Sequence, residues 1–353
     1  MRHTAYRPIA CASLALDATS SMRLEHRTIE LRLRHTFHIA HGASDTRHNV
    51  LVRIGDGHGE AGPVAYHGES AEGVSAALEQ WGPIVEHVSE PGAIHALLDQ
   101  LHGSAAARAA VDIALHDGLG KRLGCSLADL LGLRNLPLPQ TSYTIAITAP
   151  EELPARVAAA AGYPILKVKL GTPRDLQIVQ AIREHAPGAT IRVDANAGWN
   201  VEQALKIIPQ LRELAVEFIE QPLAVADTHG WERLRTARLG VPIVADESVR
   251  SSAEIVRLAP YVDGVNIKLM KTGGIAGALA AIHTARSCGL RVMLGCMIET
   301  SLGVTAATHL APLADWIDLD GPLLIANDPF AGVTFDGATM RLPDGPGLGV
   351  VPI

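Results

Sequence analysis

Lys167 and Lys169 stand one residue apart in Leu166-Lys-Val-Lys-Leu170, closing a short apolar run that reads as a buried strand. Side chains at i and i+2 of a strand share a face, so both ammonium groups point into one small space. Repulsion between them and burial both favour loss of a proton. This predicts a basic Lys169 whose pKa is lowered by Lys167. Three further apolar segments end in acids, Ile191-Arg-Val-Asp194, Phe218-Ile-Glu220 and Ile243-Val-Ala-Asp246, at successive intervals of 25, 26 and 26 residues from Lys169. A fourth, Val265-Asn-Ile-Lys268, ends in another lysine 22 residues later.

Three carboxylates with no histidine or cysteine among them suit a hard, oxygen-preferring ion. Asp194, Glu220 and Asp246 are therefore expected to hold Mg²⁺ rather than zinc. Such an ion, bound to a substrate carboxylate, would stabilise the enediolate left when the adjacent α-proton departs. The base for that step needs a pKa near working pH, the role assigned to Lys169. Lys268 lies four strands on, roughly across a ring of eight. Two lysines on opposite faces of one carbon let one remove a proton and the other return it, inverting a stereocentre. Elimination or cycloisomerisation follows if the second lysine acts otherwise. The competing explanation pairs Lys268 with Asp246 or Glu247 as a plain ion pair.

Each interval between these segments holds an amphipathic, Ala/Leu-rich stretch long enough for one helix and two loops. Strand-helix alternation at this pitch implies a parallel sheet, and eight such units imply a closed barrel with its chemistry at the C-terminal strand ends. The strands centre on Tyr143–Ile147, Ile165–Lys169, Ile191–Asp194, Glu217–Glu220, Ile243–Asp246, Val265–Lys268, Val292–Leu294 and Trp316–Leu319. Before them, residues 23–33 and 49–54 alternate as strands, with 37–47 read as the loop between. A helix is predicted from Ala105 to about Lys121. Strands followed by helices read as an α+β domain, and Pro137-Leu-Pro139 as the hinge into the barrel. The expected organisation is an extension over 1–21, an α+β capping domain over 22–137, a modified TIM barrel, (β/α)₇β, over 138–321, and a segment over 322–353. In that last segment, Val333–Phe335 and Thr339–Leu342 form a hairpin that returns to the capping domain.

The chain has 353 residues, 48% hydrophobic but only 4% aromatic, so its core must be aliphatic and alanine-lined. Net charge is −7 and no basic cluster interleaves with aromatics, which argues against nucleic acid as a partner. No run of about 18 apolar residues appears, which argues against a membrane span. Cys11, Cys125, Cys288 and Cys296 are scattered, without zinc or disulfide spacing, as a reducing cytoplasm would allow. Arg2 and Arg7 before Pro8-Ile-Ala-Cys-Ala-Ser-Leu-Ala-Leu16 faintly resemble a signal peptide. Asp17 interrupts that run, so residues 1–21 are read as a disordered extension or the product of an upstream start. Gly118-Leu-Gly120 is no dinucleotide loop, because a helix precedes it where a strand is needed.

Lys167-Val-Lys169, Val193-Asp-Ala-Asn196, Glu220-Gln-Pro222, Ala245-Asp-Glu-Ser248 and Asn266-Ile-Lys-Leu-Met-Lys-Thr-Gly-Gly274 together resemble the muconate-lactonizing subgroup of the enolase superfamily. Enzymes of that superfamily use a lysine or histidine base beside Mg²⁺. The resemblance implies Mg²⁺ on Asp194, Glu220 and Asp246, acid/base roles for Lys169 and Lys268, and a Lys167 that touches the substrate carboxylate. The mandelate racemase branch places a histidine base on the seventh strand, where this chain has Gly295-Cys-Met-Ile-Glu-Thr300. Asp318-Leu-Asp320 resembles the pair with which dipeptide epimerases bind a free α-amino group. Phe37–Gly42, Tyr66–Ser70 and Cys296–Ser301 look most like the L-Ala-D/L-Glu epimerase group.

The implied substrate is a small dipeptide, inverted at its C-terminal residue in a pocket shaped by Thr144, Met297, His41 and Tyr66. Where that group carries an arginine for glutamate, this chain offers His41, Ser44 and Arg47, which leaves a neutral or hydrophobic second residue open. Alternatives within the subgroup are o-succinylbenzoate synthesis, N-succinylamino-acid racemisation and muconate cycloisomerisation; a non-catalytic metal-binding scaffold ranks below them. Association into a homo-oligomer is left open. His116, His283 and His309 fall in helical stretches and are expected to pack or face solvent.

Overall fold

The computed structural model describes residues 23–40, 42–86 and 94–353. The reading of 1–21 and the pocket role given to His41 lie outside them.

The chain opens with an antiparallel sheet of β1 (Leu24–Ile39), β2 (Gly42–Ile54) and β3 (Gly57–Ala61) in that order. The expected loop over 37–47 is instead strand, with Phe37 opposite Ser44, His38 opposite Ala43 and Ile39 opposite Gly42. None of its described side chains is fully buried, so backbone hydrogen bonds hold the hairpin where no buried apolar face signals it. The helices α1 (Ala71–Glu86), α2 (Ile94–Leu98), α3 (Ala105–Leu123) and α4 (Leu127–Leu130) follow. Ser104 caps α3 by accepting from the Ala107 N–H, and Gly124 ends it at φ 66°. Val50, Val52, Ile54, Val74, Leu78 and Trp81 form the core of this unit. A Cβ on Gly57 or Gly59 would stand 1.9 Å from the carbonyl oxygen of Ala114 or Ala110, so α3 lies directly on β3.

The barrel strands are β4 (Tyr143–Ile145), β5 (Ile165–Lys169), β6 (Thr190–Asp194), β7 (Val216–Glu220), β8 (Ile243–Ala245), β9 (Gly264–Lys268), β10 (Arg291–Gly295) and β11 (Trp316–Asp318). They pair in parallel in chain order, and a bridge between Thr141 and Ile317 joins the last to the first. The outer helices are α5 (Leu153–Ala159), α6 (Asp175–His185), α7 (Val201–Glu213), α8 (Thr228–Ala237), α9 (Ser252–Leu258), α10 (Leu269–Thr272), α11 (Ile275–Ser287) and α12 (Ser301–Thr308). After β11 comes a four-residue α13 (Gly321–Leu324). This is the expected (β/α)₇β barrel. Val193, Ile219, Val265, Ile267, Val292 and Leu294 face outward into an aliphatic layer. The inward set alternates with them. Phe218, Val244, Met293 and Trp316 pack together inside the barrel, and the next inward residue on each strand is one level higher.

Four short strands finish the chain: β12 (Phe330–Ala331), β13 (Thr334–Asp336), β14 (Thr339–Arg341) and β15 (Val351–Pro352). The hairpin β13–β14 meets the barrel rather than the cap, the Thr141 N–H donating to the Ala338 carbonyl. The residues on either side of it reach the capping domain: Ala326 N–H donates to the Arg32 carbonyl, Leu127 N–H to Gly347, and Leu348 N–H to Asp117 Oδ1 at 2.8 Å.

The β3–α3 contact makes Gly59→Ala an overpacking change. We expect a loss of about 1–3 kcal/mol, read as a lower urea midpoint; an unchanged midpoint would show that this approach is not tight.

Candidate active site

Asp194 ends β6, Glu220 ends β7, and Asp246 follows the last residue of β8. Parallel pairing sets Lys169 opposite Asp194 and Asp194 opposite Glu220. All three acids are buried, with ligand oxygens within 4.8 Å of one another. Each is held from behind. Asn196 N–H donates to Asp194 Oδ1 at 2.9 Å, Asn266 Nδ2 to Glu220 Oε1 at 2.7 Å, and Asp246 N–H to Gln221 Oε1 at 2.8 Å. Asn196 and Gln221, just past two of these acids, adopt φ of 43° and 37°. Such left-handed backbone in non-glycine residues is strain concentrated at a functional site.

The donor set fits a divalent cation. Six buried carboxyl groups (Asp194, Glu220, Asp246, Glu247, Asp318, Asp320) share the space with four buried lysines (Lys167, Lys169, Lys268, Lys271). Two negative charges are left over if all ionise. Burial and the charge of Asp194 push Glu220 up to about 8, and burial with Asp246 pushes Glu247 up to about 7. Glu220 Oε2 and Glu247 Oε2 are buried and accept no hydrogen bond, although the Lys167 ammonium stands 2.8 Å from the former. All-oxygen donors with acids to spare are what Mg²⁺ requires.

Both strand-end lysines face the acid cluster. Lys169 Nζ donates to Asp194 Oδ2 and Lys268 Nζ to Asp246 Oδ2, each at 2.7 Å. The ion pair weighed against a catalytic Lys268 is therefore present, and its partner is one of the three acids. Lys167 corrects a sequence expectation. Its ammonium stands 2.7 Å from Asp318 Oδ2, 2.8 Å from Glu220 Oε2 and 3.3 Å from Asp194 Oδ2. Burial alone would strip its proton, but these carboxylates outweigh burial and hold it well above the ordinary lysine range. Asp246 does the same for Lys268. Attraction to acids, rather than repulsion between lysines, governs both.

Asp318 and Asp320 differ more than their spacing predicts. Asp318 ends β11 with both oxygens engaged, Oδ2 by Lys167 and Oδ1 by Ser142 Oγ at 2.6 Å. Asp320 sits at the start of α13, where Oδ2 accepts from the Thr144 N–H at 2.7 Å. Burial and Asp318 push Asp320 up to about 7, a carboxyl that an arriving cation would ionise. Met297 is buried and lies 3.8 Å from the Tyr66 hydroxyl through its sulfur. Tyr66 is exposed overall, but its hydroxyl end turns inward toward Met297, and loss of water there raises its pKa, with Lys268 and Asp246 among the charges it feels. The loop carrying Met297 is fixed by the cap: Asn49 Nδ2 donates to the Ile298 carbonyl at 3.0 Å, and Glu60 accepts from the Thr300 N–H. As expected, His283 is exposed, while His116 pairs with Asp112 at 2.8 Å and His309 accepts from the Ala128 N–H.

Sequence reasoning gave no role to Asn196, Gln221, Asn266 or Lys271, and weighed Glu247 only as a partner of Lys268, a bond that goes to Asp246 instead. All five sit inside the quoted motifs, one to three residues from a named acid or lysine, and that adjacency was the available signal.

A capped (β/α)₇β barrel with three acids between opposed lysines defines an enolase-type site. The comparisons agree: residues 23–132 match the mandelate racemase / muconate lactonizing enzyme N-terminal domain, and residues 151–352 the enolase C-terminal domain-like family. The chain belongs to this family. It is 36% identical over 318 residues to an L-Ala-D/L-amino acid epimerase of Maribacter sp., covering 88% of this chain and 94% of that one. A substrate-liganded structure of the L-Ala-D/L-Glu epimerase from Bacillus subtilis aligns with TM-score 0.89 and 34% identity, over 94% of this chain and 99% of that one. The dipeptide epimerase of Cytophaga hutchinsonii, complexed with Mg and D-Ala-L-Val, aligns with TM-score 0.87 and 28% identity, over 94% and 95%.

A carboxyl near pKa 8 must lose its proton to ligate a metal. Mg²⁺ binding at pH 7 is expected to release about one proton per site, falling toward zero above pH 9, so affinity climbs as pH rises through about 8. Calorimetry in buffers of different ionisation heat measures this; no release at pH 7 would contradict a protonated Glu220.

Proposed function

We propose that the chain is a Mg²⁺-dependent dipeptide epimerase that inverts the α-carbon of the C-terminal residue. The observation that carries the reading is the pair of lysines, on β5 and β9 four strands apart, each bonded to a different acid of one triad. In this reading Asp194, Glu220 and Asp246 hold the ion. When bound, Mg²⁺ supplies positive charge that stabilises the negative charge developing on the substrate carboxylate. Lys167, kept cationic, faces the same carboxylate. Lys169 takes the α-proton from one face while Lys268 gives one to the other, and the reverse reaction exchanges their roles.

Asp320, with one oxygen beyond its bond to Thr144, receives the α-ammonium group, and Asp318 is the rigid support that ties this end to Lys167. Tyr66 and Met297 border the substrate, and the similarity to epimerases named for glutamate and for other amino acids supports a dipeptide without selecting its second residue. Among the described residues no helix is long and apolar enough to cross a membrane. Cys125, Cys288 and Cys296 are free thiols, which supports a reaction carried out in the reducing cytoplasm.

Incubating L,L-dipeptides with the protein and Mg²⁺ in D₂O should place deuterium at Cα and form the L,D isomer; no exchange with any dipeptide in a library sinks the reading. Lys268→Ala should lower epimerisation by about 10²–10⁴-fold yet leave α-proton exchange in one diastereomer, and full epimerisation would refute the two-base assignment. Asp320→Asn should reduce kcat/KM for free dipeptides by about 10²-fold and spare N-acylated substrates. Turnover of N-succinylamino acids alone, indifferent to Asp320, would favour the racemase alternative.

A further inference from the structure

Lys271 is buried, yet it meets none of the groups expected to touch substrate except through Asp246. An ammonium has three N–H donors. Those of Lys271 go to the backbone carbonyl of Asp246, to Asp246 Oδ1, and to the Asn266 carbonyl at 2.9 Å. No donor is left for a substrate. Asp246 lies one residue past the end of β8 at Ala245, so side chains rather than sheet pairing hold its backbone, Gln221 at its N–H and Lys271 at its carbonyl. Its two oxygens are thereby divided, Oδ1 to Lys271 and Oδ2 to Lys268.

The position of Lys271 is anchored from outside the barrel. It lies on the four-residue α10, whose Met270 sulfur accepts from the Gly62 N–H of the cap at 3.2 Å. The helix ends in Gly273 and Gly274, at φ 78° and 102°. A Cβ at Gly274 would stand 2.3 Å from Asp112 Oδ2, the same oxygen that accepts from the Ala276 N–H at 2.8 Å. A side chain there is excluded both by backbone conformation and by space. The cap therefore sets α10, α10 sets Lys271, and Lys271 sets Asp246.

We propose that Lys271 is a positioning residue that restricts Asp246 to one-oxygen ligation of the metal and, by its charge, keeps metal affinity moderate. The inference rests on the reading of the triad as a Mg²⁺ site. Oδ2 is shared only with Lys268, whereas Oδ1 is held by an ammonium that also grips two backbone carbonyls, so chelation through both oxygens would have to break into the Lys271 network. A cation bonded to a ligand carboxylate also repels the incoming ion. Removing it should bind metal more tightly in a geometry worse for the reaction.

The test is Lys271→Met in the full chain, nearly the same length without donors or charge. Mg²⁺ titrations of metal-free protein should show about tenfold tighter binding, by loss of one nearby positive charge. For a dipeptide that the unaltered protein epimerises, kcat should fall about 10²-fold while KM moves less than about threefold, a split that a loosened fold would not produce. Lys271→Gln, which retains a donor to Asp246, should shift both quantities in the same directions by less and serves if methionine is not tolerated. Unchanged or weaker Mg²⁺ binding, or an unreduced kcat, overturns the assignment. A flat Mg²⁺ isotherm for the unaltered protein instead sinks the metal reading itself, so the two failures are separable.

Discussion

Charge held out of water is the constraint on which this structure turns. An isolated carboxylate or ammonium in the barrel would cost several kcal/mol, and ten ionisable groups lie there together. They are tolerated because parallel pairing brings opposite charges from different strands to hydrogen-bond distance. Beneath them Phe218, Val244, Met293 and Trp316 close the barrel with apolar bulk, so solvent cannot screen them from below. The network is a single electrostatic object: Lys167 alone touches three of its carboxylates. Changing one member redistributes charge among the rest, and substitutions inside it will not act additively.

Much of this was legible in the chain because strand ends carry a strict register. Lys169, Asp194, Glu220 and Lys268 close strands at a regular interval, and one side-chain alternation decides what faces inward. That places the acids and lysines without any knowledge of what surrounds them. It does not say what each will touch. The pairing of Lys167 with Asp318 spans 151 residues and exists only because the barrel closes, so a local argument found repulsion from Lys169 where the structure supplies attraction. The unequal roles of Asp318 and Asp320 have the same origin, since Ser142 and Thr144 reach them from the first barrel strand. The hairpin through Phe37 and Ser44 escaped notice for a different reason: neither face has a fully buried described side chain, so there is no core-facing period to read.

In the proposed function, chemistry and selection are separated in space. The layer assigned to the reaction is built from strand ends, which hold side chains more precisely than loops do. The rim that would meet a substrate's variable parts is made of Tyr66, the Met297 loop and the β1–β2 hairpin, of which the second is pinned by Asn49 and Glu60.

The helix α3 has a mechanical consequence. It lies on β3 at glycine distance, receives the start of α11 through Asp112, and binds the C-terminal tail through Asp117. A lid that swung as one piece would carry β3 along with α3 but would have to tear the attachments to α11 and to the C-terminal tail. The roof over the barrel is consequently a fixture and not a door. Access to the barrel mouth is then left to the edges of that roof, where the β1–β2 hairpin and the Met297 loop lie.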